Sequence, residues 1–140
     1  MKIMLDTNIL ISMIIFPGQM FLQMLDVITK QHKLVLSSYV LDELSNVVTR
    51  KFPKRENALN KFLAAIPYEK FVTPPDMDLS VFEIRDAKDY PVLYSAIAAK
   101  VDVLITGDKD ILTVENIDTP KIMTAREFVE RFAENVEVRG

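Results

Sequence analysis

The sequence predicts an α/β domain built on a mostly parallel sheet with helices over both faces. Three observations carry that expectation. Short apolar runs that read as buried strands occur at Lys2 to Leu5, Lys33 to Leu36, Val101 to Thr106 and Lys121 to Met123. Helix-periodic stretches lie between them. Polar residues close the runs, with Asp6-Thr7-Asn8 after the first and Gly107-Asp108 after the third. Strands alternating with helices pair in parallel, because each helix provides the crossover that returns the chain to the same end of the sheet.

Each element has its own justification. Ile9 to Ile15 is a short buried helix stopped by Phe16-Pro17-Gly18. Gln19 to Gln31 places Phe21, Leu22, Leu25, Val27 and Ile28 at near-helical spacing ahead of the second strand. Ser37 and Ser38 offer N-cap hydroxyls to a helix whose Val40, Leu41, Leu44, Val47 and Val48 form one apolar stripe. A helix is expected over Arg55 to Ile66, and Phe71-Val72 reads as a short strand before Pro74-Pro75. Tyr90-Pro91 opens a helix with Asp89 at its N-cap, since proline fits the first turn. Thr124 and Glu127 form a capping-box pair for a last helix through Phe132.

The 140 residues carry 20 acidic against 17 basic side chains, a net charge of −3, with 49% hydrophobic residues. That composition fits one domain over residues 1–140 with a real core, and excludes disorder for most of the chain. No cysteine and a single histidine exclude a disulfide framework, a thiolate metal site, a thiol nucleophile and multi-histidine zinc sites. Asp6 interrupts the first apolar run too early for a signal peptide, and no run reaches the roughly 18 apolar residues of a membrane span. The protein is therefore expected to be cytoplasmic. Its net negative charge argues against a histone-like basic coat.

In a parallel α/β sheet the functional crevice lies beyond the carboxyl ends of the strands. Asp6 and Asp108 stand just past two such ends, and Asp89 stands where the helix leading into the second begins. Right-handed crossovers bring these positions to one edge, where Glu43 adds a carboxylate from a helix. Gathered anions repel one another and need a compensating cation. An oxygen-only donor set suits Mg²⁺ or Mn²⁺, which supports phosphodiester hydrolysis. Each acid also has a plainer reading: Asp89 as an N-cap, Asp108 as an Asx-turn residue, Glu43 as part of a solvated helix face. Asp6, closing a buried strand, has the weakest structural excuse.

These residues resemble the PIN domain, the nuclease-like fold of VapC-type toxins. The likeness rests on Met4-Leu5-Asp6-Thr7-Asn8-Ile9-Leu10, on Leu36-Ser37-Ser38 with Leu41-Asp42-Glu43-Leu44, on Arg85-Asp86-Ala87-Lys88-Asp89-Tyr90-Pro91-Val92-Leu93, and on Leu104-Ile105-Thr106-Gly107-Asp108-Lys109-Asp110. They run in the family's order across roughly residues 2 to 112. The resemblance implies a three-layer α/β/α, Rossmann-like sandwich in which Asp6, Glu43, Asp89 and Asp108 bind Mg²⁺ or Mn²⁺ and cleave RNA. It further implies that Asn8 and Thr106 are polar supports, that Asp86 and Asp110 are additional acids near the site, and that a homodimer and a cognate antitoxin are the partners.

RNA contact requires positive charge, and Arg50-Lys51-Phe52-Pro53-Lys54-Arg55, with Lys61 beyond it, is the densest basic segment; it also reads as a solvated turn. Lys109 and Arg85 are further phosphate contacts, while the absence of an RNP-type aromatic motif speaks against sequence-specific stacking. Phe16, Met20, Phe21 and Met24 read as core or as a partner face.

Two functions remain in competition: a metal-dependent endoribonuclease acting as a toxin, and a PIN-fold module that binds RNA or protein without cutting. A phosphotransfer enzyme on another doubly wound fold fares worse. Asp6-Thr7-Asn8 lacks the second aspartate of an Asp-x-Asp motif, and no Gly-x-x-x-x-Gly-Lys loop exists.

Overall fold

In the computed structural model, which describes residues 1–133, Lys2–Leu5 (β1) is the middle strand of a five-stranded, all-parallel sheet. Lys33–Ser37 (β2) and then Glu69–Phe71 (β3) lie on one side of it; Val103–Ile105 (β4) and Lys121–Met123 (β5) lie on the other. The register aligns Ile3 with Leu34 and with Val103. Neighbouring residues of a strand point to opposite faces, and Ile3, Met4, Leu5, Leu34, Val35, Leu36, Val103, Leu104 and Ile105 are all buried. Both faces are therefore covered, as the apolar runs predicted. The single domain expected over 1–140 includes 134–140, which lie outside the described residues.

The helices are Thr7–Ile15 (α1), Gln19–Gln31 (α2), Ser38–Lys51 (α3), Glu56–Ala65 (α4), Tyr90–Ala98 (α5), Lys109–Leu112 (α6) and Ala125–Phe128 (α7), all but α6 in the order expected. The break at Phe16-Pro17-Gly18 turns α2 by 116° from α1, and among the described residues no single helix is long and apolar enough to cross a membrane. Met24 is core, Met20 and Phe21 are half-buried, and Phe16 is exposed.

Several boundaries differ from expectation for identifiable reasons. α1 begins at Thr7 rather than Ile9, because the Asp6 side chain accepts the Thr7 N–H and draws Thr7 and Asn8 into the first turn. β3 is Glu69–Phe71 rather than Phe71-Val72. It is an exposed edge strand positioned by pairing with β2, and Val72 is left 68% exposed. β4 covers only the last part of Val101 to Thr106. A 3₁₀ turn at Pro53–Arg55 precedes α4, and a wider π turn over Val129–Ala133 continues α7 past Phe132. The one-turn α6 had no sequence signal longer than its cap.

The irregular stretch after β3 is anchored rather than free. The Thr73 N–H donates to Ser38 Oγ, and Thr73 Oγ1 pairs with Ser95 Oγ at 2.9 Å. Further along, Phe82 stacks on Tyr90 with ring centroids 4.1 Å apart. This anchoring fixes the approach to Asp86 and Asp89.

Candidate active site

The chain runs outward from β1 to β2 and β3, then returns past β1 to β4 and β5, so the strand order reverses between β1 and β4. Loops leaving these two strands diverge there and open a crevice. Asp6 and the turn Thr106-Gly107-Asp108 occupy that position. Asp6 is 5% exposed; its Oδ1 accepts the Thr7 N–H at 2.7 Å and its Oδ2 accepts from Thr106 Oγ1 at 2.7 Å. The Thr106 hydroxyl oxygen in turn accepts the Asp108 N–H at 3.0 Å. Asn8 Oδ1 accepts the Gly107 N–H at 3.3 Å, bracing the same turn from α1. Thr106 thus bonds a carboxylate directly, whereas Asn8 bonds the backbone of the turn.

Thr7 is a support that the sequence reading passed over. Its hydroxyl donates to Glu43 Oε1 at 2.5 Å, tying the acid on α3 to the first turn of α1. The signal was its place directly after the capping aspartate, where a helix begins at the strand end.

Asp89 occupies the N-cap position of α5 in helical conformation and makes no capping bond. Asp86 is the residue that caps, accepting the Lys88 N–H at 3.0 Å. Asp89 Oδ2 is buried and has no hydrogen-bond partner. Asp108 does serve as an Asx-type cap, accepting the Asp110 N–H at 2.8 Å at the start of α6. The capping role leaves its carboxylate near enough to Asp89 for the two to repel one another.

Electrostatic repulsion couples Asp6 to Glu43 and Asp108, and Asp89 to Asp108, Asp86 and Asp6. Burial pushes Asp6 up to about 6; the bonds from Thr106 and Thr7 oppose this, and Glu43 and Asp108 add repulsion. Asp89 is also held well above the ordinary carboxylate range, first by burial and then by the neighbouring Asp108, Asp86 and Asp6 carboxylates. Tyr39 donates to Lys88 O at 2.9 Å, and its hydroxyl is pushed up first by burial and then by Glu43, Asp89, Asp6 and Asp86. No cation forms an ion pair with Asp6, Glu43, Asp89 or Asp108 among the described residues.

The carboxylates whose oxygens come within 4.8 Å of one another are Asp86, Asp89 and Asp110. Asp110 is held bidentately by Arg85, from Nε at 2.9 Å and Nη2 at 2.7 Å, which keeps its carboxyl below the usual range. An orphaned buried oxygen, raised carboxyl groups and an all-oxygen donor set fit a hard divalent cation. Beside this group, an open groove of about 710 Å³ runs between the 80–85 segment and residues 113–116.

The chain is similar to known proteins in both sequence and fold. It is 30% identical to uncharacterized protein MJ1680 of Methanocaldococcus jannaschii over 94% of its own length and 91% of that protein's. Its fold is similar to a chain in the crystal structure of VapBC2 from Rickettsia felis bound to a DNA fragment from their promoter. That match has a TM-score of 0.66 and 22% identity, and covers 88% of this chain and 97% of the other. The family described as PIN domain matches residues 2–110, a span that holds β1 through β4 and every acid described above. The sheet order, the acids at its reversal point and that match together establish that the chain belongs to the PIN domain family.

Proposed function

We propose that the protein is a Mg²⁺- or Mn²⁺-dependent endoribonuclease that hydrolyses RNA phosphodiester bonds, and the toxin component of a type II toxin–antitoxin system. The observation that carries this reading is the buried Asp89 Oδ2, which has no hydrogen-bond partner and lies near Asp108 and Asp86, neither of which forms an ion pair among the described residues. Left without a cation, such a group retains protons; its chemistry is completed by a metal.

Asp6, Glu43, Asp89 and Asp108 are the residues that would hold the cation. A divalent ion there supplies a water of lowered pKa and stabilises charge on a phosphoryl oxygen. Thr106 and Thr7 hold Asp6 and Glu43 in single orientations, as groups behind metal ligands do. Arg85 and Lys109 lie beside the acids and offer positive charge to phosphates.

The likeness to a VapBC2 chain supports a cognate antitoxin as partner, and the half-buried Met20 and Phe21 offer surface for it or for a second copy. One observation favours the non-catalytic alternative: Arg85 already neutralises Asp110, as a retained binding module would tolerate. Cleavage of a mixed RNA panel by wild type and Asp6→Asn, with Mn²⁺ or Mg²⁺ and with EDTA, decides between them. Cleavage lost in the variant and in the chelated sample is the expected result. An intact wild type that binds metal yet cuts nothing would favour the binding module.

A further inference from the structure

The acid site does not account for the basic segment that ends α3. Glu43, Asn46 and Arg50 stand at i, i+3 and i+7 on this helix, so they form one stripe. Seven residues complete nearly two turns and advance about 10.5 Å. Glu43 is half-buried and Asn46 and Arg50 are exposed, so the stripe leads from the acids out to solvent. Arg50, Lys51, Lys54 and Arg55 are all exposed and form no ion pair among the described residues, whereas Lys30, Lys33 and Arg85 are each paired with an acid.

A second feature lies at the same corner. Phe52, which ends α3, meets Phe16, which ends α1, edge to face with centroids 6.1 Å apart, and Phe16 remains 64% exposed. α1 and α3 both start at the acid site, capped by Asp6 and Ser37, and pack along one another. Their aromatic ends therefore mark the far end of a track that starts at the carboxylates.

We infer that Arg50, Lys51 and Lys54 with Phe16 form a second RNA contact, which holds the backbone and one base of a single strand running from the acid site along α3. The inference rests on the ribonuclease reading and names where its substrate is gripped. The distance from Glu43 to Arg50 matches about three phosphates of a stacked strand at ~3.4 Å each. Unpaired cations beside an exposed ring fit a nucleotide's phosphate and base together, in a manner tolerant of sequence. Negative charge at the acids would repel the strand there, so a distant cationic grip separates binding from the reacting position.

The test is fluorescence anisotropy with a short labelled single-stranded RNA in EDTA, across a salt series, using wild type, Arg50→Gln/Lys51→Gln/Lys54→Gln and Phe16→Ala, each checked for an unchanged melting temperature. The triple variant should lose about tenfold in affinity, and its log affinity against log salt should flatten by about 2, from roughly 0.7 for each of three phosphates. Phe16→Ala should lose several-fold with its salt slope unchanged, because stacking releases no counterions. Wild-type affinity and slope in the triple variant, or no RNA binding by wild type, would overturn the inference. Failure of the cleavage assay with this corner still binding RNA would sink the nuclease reading alone.

Discussion

Thr106 and Asp6 are separated by 100 positions in sequence and joined by a buried 2.7 Å hydrogen bond, from the threonine hydroxyl to the aspartate Oδ2. The same hydroxyl oxygen accepts the Asp108 backbone N–H, so one side chain ties the Asp6 carboxylate to the turn that carries Asp108. Thr106→Val keeps the shape and removes both contacts. A bond to a charged group contributes about 1.5–3 kcal/mol, and we expect a loss of that size in urea unfolding at pH 7. An unchanged midpoint would mean that the hydroxyl holds neither the acid nor the turn.

The raised carboxyls make the metal-free fold depend on pH. Asp6 titrates near 6 when folded against 3.8 ordinarily, so between these values the folded state holds more protons than the unfolded one. The contribution is fully present below 3.8 and is lost as pH rises through about 6, so stability falls across that window. A shift of this size corresponds to about 3 kcal/mol. In EDTA, Asp6→Asn should melt above wild type at pH 7 and lose the advantage by pH 4. Asp89, raised in the same direction, steepens the wild-type slope on the neutral side. Equal melting profiles for the two proteins would remove the burial penalty assigned to Asp6.

Thr7→Val detaches Glu43 from α1 without altering the acid itself. Groups that orient metal ligands typically account for about 10–100-fold in metal affinity or activity. We expect a loss in that range for Mn²⁺ affinity by titration calorimetry, and substantial recovery in Thr7→Ser, which restores the hydroxyl. A Thr7→Val protein with wild-type Mn²⁺ affinity would show that Glu43 needs no such tether.

Lys100 ends α5 at φ 57°, a left-handed conformation that favours glycine. Its side chain is exposed, and the residue precedes β4, at the opposite end of that strand from Asp108. Lys100→Gly should stabilise the protein by about 1 kcal/mol, read as a raised melting temperature with RNA cleavage unchanged. A lowered melting temperature would mean that glycine's added freedom in the unfolded chain outweighs the relief of strain.

Much of this architecture was legible because burial is a strong, local-pattern signal. Fully burying a Leu, Ile, Val or Met side chain contributes about 1.5–3 kcal/mol, so the apolar runs at Lys2 to Leu5 and Lys33 to Leu36 left little choice of state. Glu69–Phe71 carries no such pattern, and its strand state comes from backbone bonds to β2. Asp89 illustrates the same limit at the site. Its neighbours suggested a cap, yet Asp86 caps and Asp89 is left with a buried unpaired oxygen.

The alternation of strands and helices and the identity of the acids that close the strands follow from residue order, because periodicity and polarity are written residue by residue. The partners of those acids follow from the folded arrangement. The reversal of strand order beside β1 brings Thr106 to Asp6; the packing of α1 on α3 brings Thr7 to Glu43 and Phe16 to Phe52; and the anchored loop before α5 brings Asp86 and Asp110 to Asp89. Hydrogen bonding and Coulomb repulsion act over a few ångströms in space, whatever the separation along the chain, so such pairings take form only once the sheet is assembled.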